Sequence, residues 1–293
     1  MSNPPPGNHR RPMVITVSYV FAVLIATATA CGGSVGSAIP TQGPNGVSHG
    51  SLMVDGHERT YRVFRPTSLD PTRPAPLIFA LHGASFQGDR MAVIGNWDDK
   101  ATSGGFMAAF PDGGWNTIGQ APVEDVTFIS SLLDRLEREY AIDKTRVFVV
   151  GASIGAEMAY RLACELSDRI AAIASVIGEM VTDPCRPARP VSIFEMHGTD
   201  DPDVSYDAAA VSIQSWVTLD GCASNPKQSV NGIMKTSVWS SCRTGTVVRF
   251  DTVVGGHHSW FGSPVAAARD SVPGQPDATA VVWDFFKNLA PRT

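Results

Sequence analysis

Short apolar runs alternate with stretches of helical periodicity along most of this chain. Around Asp55-Gly56 the stretch SLMVDGHERTYRVF alternates apolar and polar positions about a dipeptide that favours a tight hairpin, which predicts two antiparallel strands. Leu77 to Leu81 reads as a strand, Met91 to Thr102 as a helix and Phe106 to Phe110 as a strand. Val126, Ile129, Leu133, Leu136 and Tyr140 recur at helical spacing, with Asp134, Arg135, Glu137 and Arg138 between them. Arg146 to Val150 (RVFVV) is a strand of the fully buried type, followed by a helix through Leu166. Ile170 to Val176 and Val191 to Met196 are further strands, joined by a segment containing Pro and Cys rather than by a helix. Asp207 to Leu219 reads as a helix, Val247 to Val254 as the last strand and Ala278 to Leu289 as a closing amphipathic helix. Strands alternating with helices imply right-handed crossovers, so the pattern predicts an α/β fold: an eight-stranded, mostly parallel sheet with helices on both faces. Without an internal repeat or a linker to a second module, residues 51–293 read as a single domain.

The N-terminal residues follow a different pattern. His9, Arg10 and Arg11 precede the uncharged apolar run Met13 to Ala30, and small residues lead into Cys31, the layout of a signal peptide over residues 1–30. Ala28-Thr29-Ala30-Cys31 resembles a bacterial lipobox, in which the cysteine is lipidated and becomes a membrane anchor, although Ala28 stands where Leu is usual. An ordinary signal with an incidental cysteine and a retained anchor helix are the alternatives, and Arg10-Arg11 lacks the rest of a twin-arginine motif. Residues 31–50, rich in Gly, Ser, Pro, Thr and Asn, read as a flexible tether. The expected location is therefore extracellular or at the cell envelope. There thiols persist as disulfides, and of three possible connectivities the sequence-local pairs Cys164 with Cys185 and Cys222 with Cys242 are favoured.

Composition narrows the chemistry. A formal net charge of −5 with no single-sign block offers no footprint for a nucleic-acid backbone. Neither a CxxC pair nor an HExxH helix is present, so no metal and no cofactor is expected.

Gly151-Ala152-Ser153-Ile154-Gly155 lies between the strand RVFVV and the helix AEMAYRLACEL. In a strand-turn-helix elbow the glycines leave room for a tight bend, and the serine hydroxyl projects from the carboxyl edge of the sheet at a helix N-terminus. Such a serine needs a base and an oriented carboxylate from neighbouring loops. His197-Gly198-Thr199-Asp200-Asp201 follows the strand VSIFEM, and Gly255-Gly256-His257-His258-Ser259-Trp260 follows VVRFDTVV. The order Ser, Asp, His is that of an α/β-hydrolase. Asp200, Asp201 and Asp203 are all candidates for the acid, and His257 and His258 for the base. The backbone amides of Ile154 and Ala84 are the candidate oxyanion hole, with Ser85 as the alternative to Ala84. Trp260 and Ser85 are candidate pocket residues, Trp260 reading first as a packed rim aromatic. His82 reads as structural, and Asp98, Asp99, Glu124 and Asp125 as helix-capping or solvated acids.

These residues resemble the polyhydroxybutyrate depolymerase and feruloyl esterase-like group of α/β-hydrolases, which includes actinobacterial lipoproteins. The resemblance runs through SLMVDGHERTYRVFRP, PLIFALHG, VEDVTFISSLLDRLEREYAIDKTRVFVVGASIGAEMAYRLACE, CRPARPVSIFEMHGTDDPDVSY and GGHHSW. Against the group's HGTxDxxVPY it implies Asp201 as the acid, against GGGHxWPG it implies His258 as the base, and its cysteines near positions 222 and 242 agree with that pairing. Ala84, Ile154, Ser205 and Phe261 depart from the group pattern, and a branched Ile154 beside the nucleophile is expected to narrow the pocket. The expectation is a serine carboxylic-ester hydrolase acting on short hydroxyacyl, feruloyl or acetyl esters, small or oligomeric, with activity falling below about pH 6 to 7 as the imidazole base protonates. An envelope acyltransferase on the same fold and a non-catalytic binding module are the alternatives.

Overall fold

The structure is a computed structural model that describes residues 1, 46–118, 124–265 and 270–292. The apolar run Met13 to Ala30, Cys31, the tether as far as residue 45 and residues 119–123 of the loop after Trp115 lie outside the described residues. Among the described residues no helix is long and apolar enough to cross a membrane.

In chain order the elements are β1 (Val47–Val54), β2 (His57–Phe64), β3 (Ala75–Leu81), α1 (Gly88–Ile94), α2 (Trp97–Gly104), β4 (Met107–Pro111), α3 (Asp125–Glu139), β5 (Ile142–Ala152) and α4 (Ile154–Glu165). There follow β6 (Ala172–Val176), β7 (Ser192–Gly198), α5 (Tyr206–Leu219), β8 (Lys227–Asn231), β9 (Met234–Trp239), β10 (Val248–Val253) and α6 (Ala278–Lys287). One sheet holds all ten strands in the order β1-β2-β4-β3-β5-β6-β7-β10-β9-β8. Its centre, from β4 to β10, is parallel, and antiparallel strands close both edges.

The sheet thus has ten strands rather than eight. The extra pair is the β8–β9 hairpin, whose strand KQSVN is exposed at every position, so no buried face imposes an apolar alternation on it. β1 starts at Val47, inside the stretch read as tether, because its partner β2 offers backbone pairing as far as Phe64 opposite Val47. The single helix expected over Met91 to Thr102 is two: Asn96 takes a left-handed conformation and separates α1 from α2.

Alternate strand residues point to opposite faces, which gives the central strands two cores. Leu77, Phe79, Val147, Val149, Ile173 and Ile193 pack with α3, α4 and α5. Ile78, Ala80, Phe148, Val150, Ala174 and Phe194 pack with α1, α2 and α6. Cys164 is bonded to Cys185 and Cys222 to Cys242, both pairs as expected from their spacing, and two disulfides suit an oxidising compartment. The first ties α4 to the irregular segment between β6 and β7, and the second closes the root of the β8–β9 hairpin.

Candidate active site

Four loops leave the carboxyl ends of β3, β5, β7 and β10 on the same edge of the sheet, and each contributes to one cleft. Ser153 occupies the bend between β5 and α4 with φ 55° and ψ −127°, a region that costs a side-chain-bearing residue about 1–3 kcal/mol. The bend is held by the Ser153 amide donating to Val176 O at 3.1 Å and by the Ala156 amide donating to Ser153 O at 2.7 Å. Its tightness depends on Gly155, where a Cβ would lie 2.5 Å from His82 O and 2.6 Å from Leu81 O. The loop after β3 therefore presses directly on the elbow.

The loops after β7 and β10 are packed even more closely. A Cβ on Gly198 would lie 2.1 Å from Gly256 O. The Asp200 amide donates to Gly256 O at 2.9 Å, and the Gly255 amide donates to the Thr199 hydroxyl at 2.8 Å. This clamp aligns Asp201 with His258, whose Nδ1 lies 2.8 Å from Asp201 Oδ2 and 3.0 Å from Oδ1. On the other side of the ring, His258 Nε2 lies 3.0 Å from Ser153 Oγ. The Asp201 side chain is inaccessible to solvent, and its Oδ1 accepts the amides of Asp203 at 2.9 Å and Val204 at 3.0 Å. Burial pushes its carboxyl up, but hydrogen bonds from His197, His258 and those two amides outweigh it and hold the group well below the usual carboxylate range. An anionic Asp201 accepts from Nδ1–H, which leaves Nε2 free to accept the serine hydroxyl proton.

The geometry separates the residues that the sequence leaves open. Asp200 is exposed and accepts the Thr199 hydroxyl, and its backbone oxygen faces His257 Nδ1 at 3.2 Å. Asp203 is exposed at the rim of the cleft. Asp201, Asp203 and His258 bring possible ligand atoms within 4.8 Å of one another, but the Asp201 and His258 atoms are committed to each other and to Ser153.

The cleft, about 420 Å3, is lined by Ser153 and His258 together with Gly83 and Ala84, and its walls are Phe86, Met91, Ile94, Ile177 and Trp260. The Ile154 amide is the first of α4, so no carbonyl within the helix takes it. Gly83 passes over the elbow, where a Cβ would lie 3.6 Å from that of Ser153, and the Ala84 amide follows it at the cleft. Trp260 is buried, lines the cleft and donates from Nε1 to Thr279 Oγ1 at 2.9 Å.

Three expectations change. Ser85 is exposed, with φ 61°, and is not part of the cleft wall. The Ile154 side chain packs into the core beneath α4 instead of narrowing the cleft, because the amide end of a helix and its side chains point in different directions. Ile177, also in the left-handed region with φ 55°, supplies the branched wall instead. Asp125 is buried rather than solvated, pairing with Arg59 at 2.5 Å and accepting the Asn116 amide at 2.6 Å. His82 is structural: Nδ1 donates to Gly83 O at 2.8 Å, Nε2 accepts the Gly113 amide at 3.2 Å, and burial lowers its basicity so that the neutral ring fits.

Sequence reasoning passes over Ile177 and the buried polar line Tyr160, Glu195 and His197 beneath Asp201. The one signal for the latter is a Glu and a His two apart inside a mostly apolar strand, SIFEMHG.

No family model matches the chain. A bifunctional acetylxylan esterase/xylanase of Neocallimastix patriciarum is 28% identical over 70% of this chain, which spans 31% of that relative's length. Feruloyl esterase C of Emericella nidulans is 26% identical, with 90% of this chain and 98% of the relative covered. Among solved structures, acetyl xylan esterase from Aspergillus awamori superposes with a TM-score of 0.61 at 16% identity, covering 82% of this chain and 99% of that one.

Proposed function

Taking the chain as a feruloyl esterase-like α/β-hydrolase and a serine carboxylic-ester hydrolase, we propose that it cleaves esters of short or aromatic carboxylic acids by acyl transfer through Ser153 to water. Ser153 Oγ attacks the ester carbonyl while its proton passes to His258 Nε2. Asp201 holds the ring in the required tautomer and stabilises the imidazolium that forms. The amides of Ile154 and Ala84 receive the tetrahedral oxyanion, each such donor being worth roughly 3 kcal/mol in comparable enzymes. Collapse expels the alcohol, which takes the proton from His258. Water then attacks the acyl-enzyme, gives a proton to His258 and releases the acid, and Ser153 regains its proton.

The observation that carries this reading is the 3.0 Å approach of Ser153 Oγ to His258 Nε2 at the mouth of an apolar cleft. Phe86, Met91, Ile94, Ile177 and Trp260 suit a hydrocarbon or aromatic acyl group, in keeping with the feruloyl and acetylxylan esterases among the relatives. Hydroxyacyl esters are the further class to try, with the Asp203 carboxylate at the rim working against acyl groups that carry their own negative charge. The residues from His9 to Cys31 support export and lipidation of Cys31, and Cys31→Ser is expected to abolish labelling by a fatty acid in a bacterial host.

Fluorophosphonate labelling of the purified chain tests the mechanism. Labelling is expected for the parent, none for Ser153→Ala, and strongly slowed labelling for His258→Ala. A folded parent that takes no label and turns over no acetyl, hydroxyacyl or feruloyl ester would overturn the reading.

A further inference from the structure

Beneath Asp201 lies a line of buried polar groups that the ester chemistry leaves unused. Glu195 and His197 occupy alternate positions of β7, so both emerge on one face of the sheet, and both are fully buried. Glu195 Oε2 accepts the Tyr160 hydroxyl of α4 at 2.9 Å, and Oε1 lies 3.2 Å from His197 Nδ1. His197 Nε2 in turn lies 3.0 Å from Val204 O and 3.3 Å from Asp201 Oδ2, the same oxygen that faces His258. The line runs without a break from Tyr160 to Ser153.

Two carboxyl groups buried this close together need a positive charge, since an unpaired buried carboxylate is heavily penalised. The imidazole between them is the group placed to provide it. Nε2 faces Val204 O and the Asp201 carboxylate, which accept, and Nδ1 faces Glu195 Oε1, whose carboxyl burial pushes up while the hydrogen bond and charge of His197 pull it down. Only the doubly protonated ring donates to both sides and lets Glu195 stay ionised. Burial alone would lower the ring's basicity, but the hydrogen bonds to Asp201 and Glu195 outweigh it and push it up to about 10.

Resting on the esterase reading above, we propose that His197 is a positioning residue: a buried cation that fixes the Asp201 carboxylate and thereby sets the pH at which His258 becomes a competent base. The cation shares Asp201 Oδ2 with His258 and repels a second positive charge beside it, so a proton on His258 is held less firmly. The nitrogens of the two rings share one oxygen at 3.3 and 2.8 Å and so lie within roughly 6 Å, close enough for a Coulomb effect even in a well-screened site.

The other groups around the pair are accounted for. Tyr160 of α4 is bonded to Glu195, and Tyr206 of α5, whose ring centre is 6.5 Å from that of His197, bonds the Thr252 hydroxyl of β10. Arg249 and Asp251 of β10 pair with each other at 2.6 Å, and Asp251 lies opposite Met196 in the register, hence on the other face. On β6, Ser175 stands beside Glu195. His258 also faces Asp203 at the cleft rim, while His257 is turned to Asp200 O.

The test is the pH dependence of kcat/KM for the parent and His197→Gln, with proton NMR of the imidazole N–H region. Without the cation the acidic limb is expected to move up by about half a pH unit or more. A purely structural role would lower kcat at every pH and leave the limb in place. In the parent, both His197 ring N–H resonances are expected to persist at pH 8. Glu195→Gln keeps the shape of the site and an acceptor for Nδ1 but removes the negative charge beside it, and is expected to make one of the two resonances disappear at a lower pH than in the parent. An unshifted limb in a folded His197→Gln overturns the proposal. If that variant does not fold, a neutral His197 ring at pH 8 in the parent, or N–H resonances that are lost at the same pH in Glu195→Gln as in the parent, overturns it. The resonances are readable in a parent without esterase activity, so failure of the esterase reading is distinguishable from failure of this one.

Discussion

Gly198→Ala separates the alignment of acid and base from the presence of the groups themselves. Gly198 ends β7, which pairs with β10 up to Val253, and beyond that pair the two loops touch backbone to backbone. A Cβ at position 198 would lie 2.1 Å from Gly256 O and 2.4 Å from Gly256 C, whereas ordinary contact begins at 3.4 Å. No side chain can rotate out of the way, so the loops must part by roughly 1 Å, a displacement that in a catalytic site costs on the order of 10²-fold. The hydrogen bond from the Asp200 amide to Gly256 O is the first to be lost, and Asp201 and His258 follow directly from these two segments. We therefore expect kcat/KM on a p-nitrophenyl ester to fall about 100-fold, equivalent to roughly 2.7 kcal/mol. Fluorophosphonate labelling should slow in parallel. Overpacking costs about 1–3 kcal/mol of stability, which leaves the fold intact and visible by circular dichroism. Gly114→Ala, where a Cβ meets nothing within 4 Å, is the control. A folded Gly198→Ala with kcat/KM within about three-fold of the parent would refute the reasoning.

Three further outcomes follow from the packing of the chain. Burial pushes the Asp220 carboxyl up to about 6, so folding favours its protonated form; stability should fall as pH rises from about 4 to about 6 and stay lower above that. Asp220→Asn should thus raise Tm at pH 8 and leave it unchanged at pH 4, with a gain of up to about 3 kcal/mol at the higher pH. Ile177→Ala removes one wall of the cleft and should shift the acyl preference toward longer or bulkier esters, at a cost of about 2–4 kcal/mol in denaturant unfolding. Replacing Cys164 and Cys185 together by Ala opens a loop with a sequence separation of 21 and should cost about 3 kcal/mol, read in the same assay.

The parts of the molecule that are legible in its sequence share one property: a buried face that forces an apolar pattern. Eight of the strands, those of the centre and the first edge, follow from such runs, and the Val126 helix shows its period because Val126, Ile129, Leu133 and Leu136 are all buried. Ser153, Asp201 and His258 are findable as candidates because each follows directly from one of those strands, which ends at the same edge. What escapes does so for physical reasons. In the β8–β9 hairpin β8 is exposed throughout and β9 is only half-buried, so Asn231-Gly232 is its main marker. The break at Asn96 lies in backbone conformation, to which apolar periodicity is blind. Choosing Asp201 over Asp200, or His258 over His257, needs either the family resemblance or the direction of each side chain, since neighbours two or fewer positions apart leave the same strand end. Glu195 and His197 hide inside a strand whose other positions are mostly apolar, and Ile177 looks like one more core residue until its φ is known.

Ser153 and His258, the proposed nucleophile and base, lie 105 positions apart and are joined only when β10 docks beside β7 in the sheet. A nascent polypeptide that has finished β5 and α4 already contains the whole elbow, yet nothing in that fragment can take the proton from Ser153. If the proposed mechanism holds, chains that end before β10 are expected to be silent toward esters, however well their early strands have paired. On the proposed mechanism, catalytic competence therefore waits on the C-terminal third of the chain, which carries His258.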